Sequence, residues 1–325
     1  MTRRSLLAGS VGLAAGAATA APFLLPKYDR VRRPARSRVA IVRADEYSER
    51  LEWTLMSALR LFDLNVGGKS VLLKPNIVDF VAGVNVNTDP VLVTAAAECF
   101  RRLGALSVTV AEGPGHQRDT QLVLLESGFQ DELAKQHIPF VDLNRDELVK
   151  IKLCANYTGL GHLWLPRTVL GLDFVVSMPK VKTHHWSGVT LSMKNMFGVV
   201  PGTKYGWPKN ILHWSGIQQS ILDVCATVPI HFVIADAIVA MEGNGPLAGT
   251  SRPLRSIVLS DDPVAADATC ARLMGFQPER IPHIREAAKF LGNASTELID
   301  QLAGRVAAPD IPFKVVPEFE YLCAS

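Results

Sequence analysis

The feature that most limits the fold of this chain is a regular alternation: short runs rich in Val and Ile, many of them stopped by Pro or Gly, are followed by longer stretches of helical periodicity. "SRVAIVRA" reads as a strand, and Leu51, Leu55, Leu59 and Phe62 place a helix over 46–64. "SVLLKPN" is a strand stopped at Pro75, and "TDPVLVTAAAECFRRLG" a helix with Asp89 as N-cap, Pro90 in its first turn and Gly104 at its end. "LSVTVAEG" is the next strand, followed by a polar loop, a helix to about Lys135 and the strand "IPFVDL". The second half repeats this alternation, with strands at "DFVVSMPK", "HFVIADAI" and "LRSIVLS" and helices over 214–227 and in "DDPVAADATCARLMG", where Asp262 is the expected N-cap. Between Pro179 and Gly198 a loop followed by a helix is expected. Strands alternating with helices imply mostly parallel sheets. With 325 residues, 48% of them hydrophobic, one large or two medium domains can form. The expected architecture is therefore α/β in two lobes, 38–145 and 146–325, each a mostly parallel sheet flanked by helices, with a cleft between them.

The first 26 residues stand apart. Paired Arg3-Arg4, an Ala- and Gly-rich apolar stretch and the small-residue site Ala18-Thr19-Ala20 resemble a twin-arginine export signal, and Leu6 to Leu25 is also long enough for a membrane anchor. Export in the folded state to the periplasm or cell surface follows from the first reading. Residues 27–37 form a basic linker suited to contact with anionic headgroups. The rest of the chain is net acidic and the linker carries a single aromatic, Tyr28, which argues against nucleic acid as a partner. Five cysteines without C-x-x-C spacing argue against a disulfide framework or an iron–sulfur cluster.

No acid occurs from Phe174 to Leu222, a window that holds Lys180, Lys182, Lys194, Lys204, Lys209, His184, His185 and His213. Such a window is either a solvated basic face or a site for a small anion. In open α/β sheets ligands bind beyond the carboxyl ends of the strands. There the sequence supplies Lys74, Asn76, Lys180, Lys182 and His185 as anion-binding candidates. Lys194 is flanked by Leu191, Met193, Met196 and Phe197, and a partly buried lysine prefers its neutral form, fit for a base or nucleophile. His116, in the glycine loop "AEGPGHQRDT", and His184 are candidates for proton transfer. Glu112, Asp236 and Glu242 are candidate oxygen ligands for a divalent metal.

"LLKPNIV", "NTDP", "PKVKTHHWSGVTLSMKNMFGVVPG", "DAIVAMEGNGPLAG" and "DDPVAADATCARLMG", in this order, resemble the domain of unknown function 362 family over about residues 38–280. Some relatives carry ferredoxin-type cysteine runs that this chain lacks. A fainter resemblance, carried by "AEGPGHQRDT" and "HHWSGVTLSMKNMFGVVPG", is to the nickel-pincer lactate racemase family, also two-lobed α/β. It implies that His116 and His184 form a proton-transfer pair, that Lys194 matches the lysine bearing the nickel-pincer nucleotide, and that His213 matches a metal-binding histidine. The glycines that usually precede that lysine are replaced here by Leu191, Ser192 and Met193.

The expected function is that of an exported enzyme acting on a small carboxylate or phosphorylated substrate by Lys/His proton transfer. A non-catalytic periplasmic binding protein for a metal or metabolite is the alternative from another class. A membrane-tethered assembly factor is a third, and it would show an exposed apolar patch.

Overall fold

The computed structural model of the protein describes residues 33–115 and 119–323. The twin-arginine segment, most of the basic linker and His116 lie outside the described residues. Among the described residues the strands, in chain order, are β1 (Ser37–Arg43), β2 (Ser70–Pro75), β3 (Ser107–Glu112), β4 (Phe140–Asp142), β5 (Leu148–Lys152), β6 (His162–Pro166), β7 (Phe174–Met178), β8 (Lys180–His184), β9 (Gly188–Thr190), β10 (Phe232–Asn244), β11 (Ala248–Ser260) and β12 (Ile299–Ala303). The helices are α1 (Arg50–Leu59), α2 (Pro90–Arg102), α3 (Thr120–Glu126), α4 (Phe129–Lys135), α5 (Arg167–Gly171), α6 (Ser192–Asn195), α7 (Gly202–Tyr205), α8 (Asn210–Trp214), α9 (Ile217–Thr227), α10 (Pro263–Leu273) and α11 (Pro282–Ala287). No helix among the described residues is long and apolar enough to cross a membrane.

The main sheet runs β12-β1-β11-β10-β7-β2-β3-β4, with β8 branching from β10 and β9 pairing with β8. From β10 through β7, β2 and β3 to β4 every pair is parallel. The β11 strand is antiparallel to both β1 and β10. The mixed α/β class with a large, mostly parallel sheet is thus observed. The two segments 38–145 and 146–325 both supply strands to this one sheet: β1 lies between β11 and β12, and β7 lies between β2 and β10.

Side chains alternate across the strands, so each strand feeds two cores. Val71 and Leu73 of β2 join Leu55 of α1, Leu92 and Phe100 of α2, and Phe129 of α4. Leu72, one step along the strand, joins Met193 of α6, Ile221 of α9, Val264 of α10 and Ile284 of α11. Helices from the first segment therefore cover one face and helices from the second cover the other.

The expected caps hold. Asp89 accepts from the Val91 N–H at the start of α2, and Asp262 accepts from Val264 and Ala265 at the start of α10. The helix expected to reach Lys135 is broken in two at Gly128, whose φ of 76° is left-handed. A larger difference concerns Pro179–Gly198: in place of a loop, the chain forms the β8–β9 hairpin before α6. Lys180, Lys182 and His184 alternate with Val181 and Thr183, a period of two that belongs to a strand. Charge alone fits either a solvated face or an anion site, and all three side chains are buried.

Candidate functional site

A cavity of about 210 Å³ opens beyond the carboxyl ends of β2 and β3. Its walls come from both segments: Asn76 after β2, Glu112 and Gly113 at the end of β3, the β8–β9 hairpin, α6, α8 and the tip of the β10–β11 hairpin. Of the sequence candidates, Asn76, Glu112, His184, His185, Lys194 and His213 line it. His116 falls outside the described residues, although its neighbour Gly115 is in the wall.

The other expected cations are placed elsewhere. Lys74 is fully buried behind the wall, where its Nζ donates to Glu112 Oε2 at 2.5 Å, Pro75 O at 2.8 Å and Asn195 Oδ1 at 3.1 Å. Burial lowers the Lys74 ammonium from its ordinary value, and the contact with Glu112 works against that shift. Lys180 Nζ lies 2.6 Å from Asp236 Oδ2 and 2.9 Å from the Tyr47 hydroxyl, which itself donates to Asp236 Oδ1 at 2.8 Å. Lys182 Nζ donates to Val86 O at 2.7 Å, and desolvation holds it well below the ordinary lysine range. Lys74, Lys180 and Lys182 thus serve internal acceptors rather than the cavity.

Two lysines do face it. Lys194, on α6, has its Nζ 4.0 Å from the centre of the Phe197 ring, and that Nζ makes no hydrogen bond among the described residues. Desolvation, helped by the nearby Lys74 ammonium, lowers it to about 7, with Glu112 opposing. Lys209 was missed by sequence reasoning, since it sits between Pro208 and Asn210 like a residue of an exposed turn. It is instead buried with φ of 68°, donates to Phe197 O at 2.8 Å and Gly113 O at 3.0 Å, and is also lowered to about 7, mainly by desolvation. Its only forewarning was membership of the acid-free window.

His184 and His213 are held as neutral rings. His184 Nδ1 accepts from the Trp186 N–H at 3.0 Å, which leaves the ring proton on Nε2. Desolvation, followed by Lys194 and the neighbouring histidines, pushes His184 well below its ordinary value. His213 contacts Lys209 O through Nδ1 at 3.1 Å, and desolvation followed by Lys194 lowers it to about 4. His185 contacts Gly245 O through Nδ1 at 2.6 Å, which fastens the hairpin tip against β8. Trp186 stands between the imidazoles of His185 and His213, with ring centres 4.7 Å from each.

Backbone proximity is part of the site. Gly113 N–H donates to Gly198 O at 3.1 Å, and a Cβ at Gly198 would overlap Glu112 Oε1 and lie 2.5 Å from Lys74 Nζ. Only glycine lets this turn sit on the Lys74–Glu112 pair. The start of α6 is fixed from the other side by buried Asp267, which accepts from Ser192 N at 2.7 Å, Ser192 Oγ at 2.5 Å and Met193 N at 3.1 Å. Desolvation raises Asp267 to about 7, with those hydrogen bonds pulling it down.

The expected metal ligands Glu112, Asp236, Glu242 and His213 do not converge. Glu112 is bound to Lys74, Asp236 to Lys180, and Glu242 Oε2 to Arg252 Nη1 at 2.7 Å. Among the described residues no group of three or more His, Cys, Asp or Glu side chains is placed to hold a metal ion. This donor set does not fit a divalent metal held by protein ligands.

A family described as a domain of unknown function (DUF362) matches residues 71–272, more than half of the chain. A thylakoid-associated protein of Synechocystis sp. is 25% identical over 261 residues, which cover 75% of this chain and 76% of that one. Among solved structures, the lactate racemase apoprotein of Thermoanaerobacterium thermosaccharolyticum aligns with a TM-score of 0.42 at 12% identity, over 65% of this chain and 52% of the other. A Thermotoga maritima protein aligns with a TM-score of 0.33 at 10% identity, over 62% of this chain and 53% of the other. The chain spans about half the length of these two solved proteins.

Proposed function

Because the chain belongs to the DUF362 family, whose description names no reaction, we propose a function from the cavity itself: an enzyme that binds a small carboxylate or phosphorylated substrate and moves protons with Lys194 and His184. The observation that carries this reading is Lys194, an amine on the cavity wall, shifted to about 7 and without a hydrogen-bond partner among the described residues. Near neutral pH such an amine is divided between its two forms. The ammonium attracts an anion, and the free amine can accept a proton or attack a carbonyl carbon. Neutral His184, with its proton on Nε2, is a donor for charge developing on a substrate oxygen. Lys209 adds a second positive group, and His116 remains the expected second member of the proton-transfer pair. No step of this chemistry runs through a metal or through the nickel cofactor that the racemase resemblance implies. Export as a folded protein on the twin-arginine signal belongs to the same proposal, and the relative associated with thylakoids is in keeping with a place near a membrane.

Labelling the full chain at pH 8 with a limiting amine reagent, followed by peptide mapping, tests the role of Lys194. Lys194 should react faster than Lys204, and methyl phosphate or succinate should slow it. If Lys194 reacts no faster than Lys204 and neither anion changes its rate, it has no part in the chemistry.

A further inference from the structure

The charges around the cavity do not balance within the protein. Lys194 and Lys209 both line the wall, and Glu112, the one carboxylate among the described wall residues, is already held by Lys74 at 2.5 Å. Asp142, the next acid that acts on Lys209, is engaged by Thr120 Oγ1 at 2.7 Å and by the Asn144 N–H at 2.9 Å. The two amines flank a single residue: Lys194 Nζ lies over the Phe197 ring and Lys209 Nζ lies on the Phe197 carbonyl. Each is close enough to the other for their charges to repel.

Two neutral groups in the same wall are also unsatisfied. Asn76 is 7% exposed and Thr190 is 4% exposed, and neither the Asn76 Oδ1 nor the Thr190 Oγ1 has a partner among the described residues. A buried polar atom left without a partner is costly, so native proteins retain one mainly where something else satisfies it.

We propose that the cavity selects a small dianion, with one charge at Lys194 and the other at Lys209, an anionic oxygen accepting from the Thr190 hydroxyl and, where the ligand carries one, a hydroxyl donating to Asn76 Oδ1. This rests on the reading of the cavity as an anion site and narrows it. A monoanion would neutralise one ammonium and leave the second without a counter-charge, whereas a dianion lets both stay protonated. The space, about 210 Å³, is enough for succinate or a small phosphate monoester. A dicarboxylate and a phosphoryl group share the required chemistry.

Isothermal titration of the full chain at pH 7.5 and constant ionic strength, with two ligand pairs that differ by one charge, decides the matter. Succinate is compared with succinamate, and methyl phosphate with dimethyl phosphate. At least one dianion should bind tenfold or more tightly than its monoanionic partner, and the pair that shows the effect identifies a carboxylate or a phosphoryl source. In Lys194→Met that ratio should fall toward one, with circular dichroism reporting whether the variant is folded; the comparison on the unmodified chain does not depend on it. Binding of both members of each pair with equal affinity overturns the dianion proposal and leaves an anion site standing. No binding of any of the four overturns both.

Discussion

Lys194 carries a cost that depends on pH in a defined direction. Its pKa in the folded protein, about 7, lies below the ~10.4 of an unfolded lysine, so between these values the unfolded chain holds more protons and stability rises with pH. Below pH 7 the penalty is fully present, and well above pH ~10 it is gone. Lys194→Met removes the penalty while keeping most of the side-chain volume. The variant should gain a few kcal/mol at pH 6.5 and less than ~1 kcal/mol at pH 10, since each tenfold loss of proton affinity on folding costs about 1.4 kcal/mol. Urea unfolding at the two pH values measures this. Lys209, lowered to a similar value, should keep the remaining slope in place. The lowered pKa of Lys194 was legible because apolar neighbours at Leu191, Met193, Met196 and Phe197 betray burial on a short helix. That of Lys209 was not, because it arises from long-range placement: a left-handed backbone at a turn, and carbonyls from Gly113 and Phe197, residues distant in sequence.

At the scale of elements, the β8–β9 hairpin shows where charge misleads. The alternation from Lys180 to His184 was a strand signal, but a strand with a wholly polar face inside a protein requires internal partners, and those come from Tyr47, Val86, Trp186 and Asp236. Apart from Trp186, two residues from His184, these partners are distant in sequence and have no local signature. The strands and helices that alternate regularly, with Asp89 and Asp262 as caps, were legible because their signals are local. The turn after α6 depends on close approach, which makes a sharp prediction. Gly198→Ala should destabilise the protein by ~3 kcal/mol or more and lower the reactivity contrast between Lys194 and Lys204, because the added methyl must displace the buried Lys74–Glu112 pair. Gly115→Ala, in the same cavity wall with nothing among the described residues within 4 Å of the added carbon and an ordinary φ, should stay within ~0.5 kcal/mol of the parent. Thermal and urea unfolding of the two variants distinguish steric crowding at Gly198 from a general intolerance of the glycine sites.

Over the whole molecule, the shared sheet ties the two halves of the chain into one body. Tyr47 precedes α1 and Asp89 caps α2, both in the first half; Lys180 and Asp236 belong to β8 and β10 in the second. Asp236 Oδ2 accepts from Lys180 Nζ at 2.6 Å and from the Asp89 N–H at 3.0 Å, while Oδ1 accepts from Tyr47. Desolvation, with Asp236 beside it, raises the Tyr47 phenol, so the hydroxyl stays protonated and works as a donor. Asp89 is also raised, to about 6, by burial and by Asp236. Removing the central carboxylate leaves the Lys180 ammonium buried without its counter-charge, and such losses cost about 3–5 kcal/mol. Asp236→Ala should therefore lower stability by that amount, whereas Lys180→Met combined with Asp236→Leu should recover a large part of it, because neither charge is then buried alone. The same continuity predicts how the chain unfolds. With β1 held between β11 and β12, and β7 between β2 and β10, neither segment holds the main sheet by itself, and 146–325 keeps only the two-stranded β5–β6 ribbon as a sheet of its own. Tryptophan fluorescence and far-ultraviolet circular dichroism should report one coincident urea transition for the intact chain and for Asp236→Ala, the latter shifted to lower denaturant without loss of steepness. Two separated transitions would mean that 38–145 and 146–325 fold independently in spite of their common sheet, and the network around Asp236 would then be a contact between domains.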